Sequence, residues 1–313
     1  MTDPTNSTPA PSPKTSPAPT PAPTPRASAA PTVHVVTDSS CDLPADLADG
    51  LDISIVPLTI RFGDDEFVDR EELSTAEFWT RCVNSDTLPE TAAPAPGQFE
   101  QVYRSAAADG ATSVIVISLS SALSATMQSA QLAARTVTND PDIDLDVRVI
   151  DSRTLTMGLG TIVLACARAA RDGADVNEVE ALAHDLVGRT RVFAALDTLD
   201  NLKKGGRIGN AKALLATALS IKPIIDVTGG VVEQAGKQRT RSKALAHLVD
   251  KVRSHHGNIE NLAVLHADCS DVDLFVEMLG YTTDDIVVGE IGPVIGTHGG
   301  RGTIGVAFQV TDV

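Results

Sequence analysis

Three short β-branched runs, each ending abruptly in hydroxyl and acidic residues, constrain this chain more than any other feature. Val-His-Val-Val at 33–36 leads into Thr37, Asp38, Ser39 and Ser40. Ser-Val-Ile-Val-Ile at 113–117 leads into Ser118, Leu119, Ser120 and Ser121, and Val-Arg-Val-Ile at 147–150 leads into Asp151, Ser152, Arg153 and Thr154. The Ala- and Leu-rich segments 122–135 and 157–171, which follow two of them, carry helical spacing. The alternation predicts an α/β fold in which helices flank a parallel sheet. The polar clusters then fall at strand C-terminal ends and helix N-termini. One such cluster needs only the explanation of a helix cap. Three in one sheet mark the crevice where open α/β folds bind ligands and helix N-termini favour anions.

From about Arg191 the pattern changes. A helix-like segment at 199–202 is followed by a basic turn, Lys203 to Arg207, and a small-residue stretch at 211–220. Strands are expected at 222–227 and 231–234, joined through Gly229 and Gly230 as a hairpin. A helix at 240–253, a strand at 262–266, a helix at 271–279 and closing strands around 286–291 and 303–310 complete a mixed α+β pattern. The expected organisation is a tail at 1–31, an N-terminal α/β domain at 32–190 and a C-terminal α+β domain at 191–313. The ligand would lie in the cleft between the two domains. The tail holds ten of the eighteen prolines and almost no core-forming residues, a composition that predicts disorder.

Charge and composition exclude several functions. The net charge is -16, and residues 32–313 carry 40 acids against 23 bases, so nucleic acid is not an expected partner. With aromatics at 3%, stacking on single strands is equally disfavoured. No apolar stretch approaches the roughly 18 to 20 residues of a membrane span. Cys41, Cys82, Cys166 and Cys269 form no C-x-x-C pair, and the N-terminus has no basic start followed by an apolar segment. A cytoplasmic protein with free thiols is expected.

Gly300, Gly302 and Gly305 fit G-x-G-x-x-G, yet only eight residues follow Gly305 and no β-α-β unit can be built from them. There is no G-x-x-x-x-G-K-[ST] loop, so a phosphoryl donor would have to be held by another protein. His255, His256, His266, Asp268 and Cys269 lack standard ligand spacing, and neither a metal nor a cofactor is expected. His298 lies in a Gly-rich segment, 296–302, where the backbone can approach a ligand closely and the imidazole can donate to an anionic head group. Thr91 offers a hydroxyl in a Pro-rich loop. A serine hydrolase using Ser124 and His298 is an alternative, although no G-x-S-x-G elbow is present.

In their order along the chain, these segments resemble the DegV family, bacterial fatty-acid-binding proteins that present fatty acid to a separate kinase. The matching residues are Thr37 to Ser40 with Asp42, Leu43 and Pro44; Val56, Pro57 and Leu58; 91–99; Leu123 to Thr126 with Gln128, Ser129 and Ala130; Asp151 and Ser152; Leu202 to Ile208; Lys222, Pro223 and Ile224; and Gly292 to His298. The resemblance runs from about Val33 to Phe308. It implies a two-domain fold enclosing a long-chain fatty acid, whose carboxylate meets Thr91 and Ser124 with His298 nearby. Asp38, Ser39, Ser40, Ser121, Ala125, Thr126 and Gly296 would line the pocket and its polar strand ends.

Arg207, Arg239 and Arg241 would then face the kinase or the phosphoryl group. The implied role is that of a non-enzymatic carrier for an ATP-dependent fatty acid kinase catalytic subunit, which forms an acyl phosphate for phospholipid metabolism. Transient contact with a membrane surface would serve lipid exchange. A carrier of another amphiphilic acid is a further alternative. Three segments depart from the family pattern. Thr91-Ala-Ala-Pro-Ala95 replaces T-S-Q-P-S, Ala125 replaces the Gly of L-S-G-T, and Arg301 stands where the H-T-G-P-G turn has Pro.

Overall fold

The computed structural model describes residues 32–85, 87–216, 221–255, 257–282 and 286–311. The tail expected at 1–31, residues 217–220 of the small-residue stretch and His256 lie outside them. The first half runs β1 (Val33–Asp38), a 3₁₀ turn (Ser39–Cys41), α1 (Ala45–Asp49), β2 (Ser54–Val56), β3 (Thr59–Phe62), β4 (Asp65–Val68), α2 (Thr75–Asn84) and β5 (Glu90–Ala92). It continues through α3 (Pro96–Ala108), β6 (Ser113–Ser118), α4 (Thr126–Thr138), β7 (Asp146–Asp151), α5 (Thr156–Arg171) and α6 (Val176–Arg189). The second half runs β8 (Thr190–Ala195), α7 (Asp200–Lys204), a 3₁₀ segment (Gly209–Ala216), β9 (Lys222–Asp226), β10 (Glu233–Gln238) and α8 (Arg241–Arg253). It ends with β11 (Ile259–His266), α9 (Val272–Leu279), β12 (Val287–Glu290), α10 (Pro293–Gly299) and β13 (Ile304–Val310).

The three strands expected from the sequence form one sheet with β2, in the order β2-β1-β6-β7 and parallel throughout. Every residue of β6 is buried, which explains its unbroken apolar run. The second sheet has the order β10-β9-β8-β13-β11-β12 and is antiparallel except where β11 pairs with β12. The hairpin expected around Gly229 is the antiparallel β9–β10 pair, whose second strand starts at Glu233 rather than Val231. A third sheet, β4-β3-β5, is antiparallel and carries Thr91 in β5. Its strands have only three or four residues and lack a strong period-2 pattern, so little in the amino-acid order marks them.

Helix α5 links the two large sheets. Residues from Met157 to Leu164, with Cys166 and Ala167, are buried, so the helix has no solvated face over its first three turns. It packs on β1 and β6 on one side and on β8, β11 and β13 on the other. Gly158 permits the close approach, since a Cβ there would lie 2.5 Å from Val192 Cγ2. Local signals fix the neighbouring helix: Asp175 accepts from the N–H groups of Asn177 and Glu178, while Glu178 accepts from Asp175 N–H, a reciprocal cap at the start of α6. No helix among the described residues is long and apolar enough to cross a membrane.

Asp38 ties the strand ends of the first sheet together. It is fully buried and accepts from Ser40 N–H and Oγ–H, from Ser118 Oγ–H at 3.0 Å and from Leu119 N–H at 2.8 Å. Burial pushes its carboxyl above the ordinary range against these hydrogen bonds. Replacing Asp38 with Ala orphans several buried donors at once, and we expect a loss of about 3 kcal/mol in urea unfolding. A loss below about 1 kcal/mol would show that the strand ends hold without this carboxyl.

Candidate functional site

Between the two large sheets lies a cavity whose space between atoms, open solvent included, is about 990 Å³. Its walls are mostly aliphatic. Val192, Ala194 and Leu196 come from β8 and the residue after it, Ile225 and Val227 from β9 and its end, and Leu265 from β11. Alternate residues of β8 face this space because side chains along a strand alternate in direction.

Several polar groups on the lining are those the sequence brought forward. Thr91, Ser124, Arg207 and His298 all line the cavity, drawn from β5, the loop after β6, the turn after α7 and the last turn of α10. Thr91 Oγ1 and His298 Nε2 share a hydrogen bond of 3.1 Å. Ser124 Oγ pairs with Thr126 Oγ1 at 2.8 Å and also accepts from Thr126 N–H. Ser124 thus lies at the N-terminus of α4, where developing or resident negative charge is favoured. In this arrangement Ser124 and His298 are bonded to different partners, so no nucleophile–base pair is formed between them.

His298 is largely buried, and its Nδ1 has no hydrogen-bond partner. Burial, reinforced by the nearby Arg207 charge, lowers its pKa to about 4, so the ring is neutral near pH 7. Gly205 lies against the Nδ1 edge, where a Cβ would come within 2.4 Å of that nitrogen. Asn201 Nδ2 donates to Thr297 O at 3.1 Å and holds the same turn. Arg207 is exposed, yet its Nε donates to Leu123 O at 3.3 Å and its Nη1 to Gly205 O at 2.6 Å, bridging the Ser124 loop to the second half of the chain. Outside the cavity the surface dips into a basin lined by Lys204, Arg207, Glu90 and Asn201, with Thr91 and His298 forming the shared wall.

Other expected site residues have different places. Asp38, Ser39 and Ser40 are buried in hydrogen bonds of their own, Ser39 accepting from Leu58 N–H, and do not reach the cavity lining. Ser121 is exposed and bonded to Asp151. Ala125 lines the cavity, Thr126 supports Ser124 from behind, and Gly296 packs against Phe78 and Trp79. Arg239 is exposed and away from both cavity and basin. Arg241 is half-buried and bidentate to Asp271 at 2.9 Å, and it also donates to Gly302 O, so it braces the Gly-rich turn from outside. Of the three arginines, only Arg207 stands at the mouth.

The departures are equally placed. Ala93 is on the lining, and Arg301 pairs with Asp268 at 2.6 Å without lining the cavity. Among the described residues no group of three or more His, Cys, Asp or Glu side chains is positioned to hold a metal. Sequence reasoning missed Gly205, Asn201 and the aliphatic wall. The i, i+2 pattern of Val192, Ala194 and Leu196 was the available signal for the wall.

The neutral His298 has a consequence for stability. Its folded pKa, about 4, lies below the ordinary 6.5, so its contribution is complete above pH 6.5 and is lost as pH falls toward 4. We expect the stability difference between the protein and His298→Asn to shrink by on the order of 2 to 3 kcal/mol between pH 7 and pH 4 in urea titrations. A difference independent of pH would contradict the burial of a neutral ring.

Comparison with known proteins agrees with this architecture. The sequence model of the family described as uncharacterised protein, DegV family, matches residues 32–311. A DegV domain-containing protein of Streptomyces coelicolor is 35% identical over 282 residues, spanning 88% of this chain and 98% of that protein. A DegV family protein from Thermus thermophilus, whose structure is described as showing fatty acid binding, is 32% identical, with a TM-score of 0.81 over 89% of this chain and 99% of that one. A stearic acid-binding protein from Eubacterium ventriosum is 25% identical, with a TM-score of 0.82 over 89% and 98% of the two chains.

Proposed function

Since the chain belongs to the DegV family, we propose that it binds a long-chain fatty acid in the cavity between its two large sheets. The observation that carries this reading is a mostly aliphatic cavity whose lining includes the Thr91 and Ser124 hydroxyls and the His298 ring, with Thr91 and His298 hydrogen-bonded to each other. The related structures described as binding fatty acid support it. Transfer of each CH₂ from water contributes about 0.8 kcal/mol, roughly 12 kcal/mol gross for a sixteen-carbon chain before ordering costs. A buried carboxylate must find hydrogen bonds. The Ser124 and Thr91 hydroxyls, the neutral His298 ring and the α4 N-terminus supply them.

We further propose that the carboxylate is presented to a separate ATP-dependent kinase, which forms an acyl phosphate for phospholipid metabolism. A head group at the shared wall of the cavity and the basin leaves one oxygen reachable from outside. Lys204 and Arg207 flank that approach and would attract a phosphoryl group or an acidic partner surface. The fixed Ser124–Thr126 and Thr91–His298 pairs favour this carrier role over hydrolysis by Ser124.

Binding of palmitate, followed by equilibrium dialysis, tests the head-group assignment. Ser124→Ala and Thr91→Ala should each weaken it about tenfold, the worth of one hydrogen bond to a charged group. Unchanged affinity in both variants would refute the proposed carboxylate site. With the kinase added, Arg207→Ala should lower acyl-phosphate formation about tenfold while palmitate affinity stays within about threefold. Equal losses of both would make Arg207 a lipid-binding residue instead.

A further inference from the structure

Charge is missing from one side of the cavity's opening. Residues 91–99 and 110–134 contain no charged side chain, although residues 32–313 carry 40 acids and 23 bases. Both stretches reach the cavity lining, through Thr91 and Ala93 in the first and Leu123, Ser124 and Ala125 in the second. They lead into α3 and α4, which pack on each other, with Tyr103 Oη donating to Ala130 O at 3.2 Å. Ala92 and Ala95 are exposed just before α3, and Ala122 and Ala125 just before α4. Ala125 is both exposed and on the lining, so the cavity meets the surface there.

The uncharged face continues outward along α4. Gln128 and Leu132 stand three and seven residues beyond Ala125, which places all three on one side of the helix over about 10 Å. Gln128 is exposed, and Leu132 is 54% exposed. Among the four large apolar side chains exposed in the described residues, Leu132 alone lies on a helix whose N-cap residue lines the cavity. A basic strip adjoins this face. Arg207 Nε donates to Leu123 O at 3.3 Å, beside Ala122, and Lys204 joins Arg207 in the outer basin. Glu90, the acid of that basin, is paired with Arg61.

We propose that the face running from Ala92 and Ala122 to Leu132 is the docking surface for the kinase catalytic subunit, which meets it with an apolar patch bordered by acids opposite Lys204 and Arg207. The proposal rests on the kinase reading above. Depletion of charge is the compositional mark of an interface core, and acids facing the two basic residues supply the complementary edge. Small side chains here also leave nothing long between a facing surface and the carboxylate. A lipid surface is the poorer occupant. Interfacial insertion uses large apolar or aromatic side chains flanked by Lys and Arg, whereas this face offers alanines and one leucine on an acidic chain.

The test is acyl-phosphate formation at graded concentrations of the palmitate-loaded full chain, with kinase and ATP held constant. Leu132→Glu and Gln128→Glu should each raise the KM for the loaded chain about tenfold, with kcat and palmitate affinity within about threefold of wild type. Leu274→Glu, on α9 and equally exposed at 54%, should move none of these values. An unchanged KM in both α4 variants would overturn the proposal, as would equal effects of Leu132→Glu and Leu274→Glu. Sedimentation with phosphatidylethanolamine–phosphatidylglycerol vesicles examines the other occupant. Wild-type retention that Leu132→Glu abolishes, with KM unmoved, would make this a membrane face and overturn the proposal. No acyl phosphate from the wild-type chain with palmitate bound would remove the kinase reading and the proposal with it.

Discussion

Burial of α5 between two sheets is the constraint from which the rest of this structure follows. Apart from Thr156 and Thr161, the first three turns of the helix carry only apolar residues and glycine, and nearly all of them are buried, so the sequence from Thr156 to Ala167 is satisfied by both sheets covering it. That sandwich draws β1 and β6 to one side and β8, β11 and β13 to the other. The sheets cannot close fully beyond the start of the helix, and the uncovered ends of β8, β9 and β11 turn their aliphatic residues into the cavity. The cavity is thus a by-product of how a helix with no polar face is housed. Its mouth lies where strand ends and helix ends supply the polar groups.

The mouth itself depends on glycine and on a neutral histidine. Gly205 lets the α7 turn lie on the His298 ring, and Asn201 and Arg241 hold the adjoining turn from two directions. An imidazole kept uncharged beside Arg207 avoids placing two cations in one desolvated spot. The proposed site can therefore receive a negative head group with hydrogen bonds from neutral donors, while the Arg207 charge stays at the rim. That division of labour also leaves the outer basin accessible to a second molecule.

Much of this was legible in the amino-acid order. The three parallel strands and the mixed character of the second half follow from runs of β-branched residues and from the Gly229–Gly230 turn. Thr91, Ser124 and His298 were identified through a resemblance whose segments are individually short, and all three line the cavity. The strand-end hydroxyls at 38–40 were harder to read. Residues that cap and cross-link a sheet use the same Ser, Thr and Asp side chains as residues that bind a ligand, and only burial and partners separate the two uses. Arg241 shows the same ambiguity for charge, because a basic segment reads as a docking patch until Asp271 and Gly302 are seen to occupy it. The short strands β3, β4 and β5 left no periodicity to read, so the element carrying Thr91 became visible only in three dimensions.

The central claim is that the cavity holds a fatty acid with its carboxyl at the Thr91–His298 wall. Native mass spectrometry of the full chain purified from a bacterial host, followed by organic extraction of the same sample, tests it most directly. The account predicts one long-chain fatty acid per chain, released on denaturation and recovered as the free acid. A bare chain that also fails to take up added fatty acid, or a bound molecule without a long alkyl chain, would contradict it.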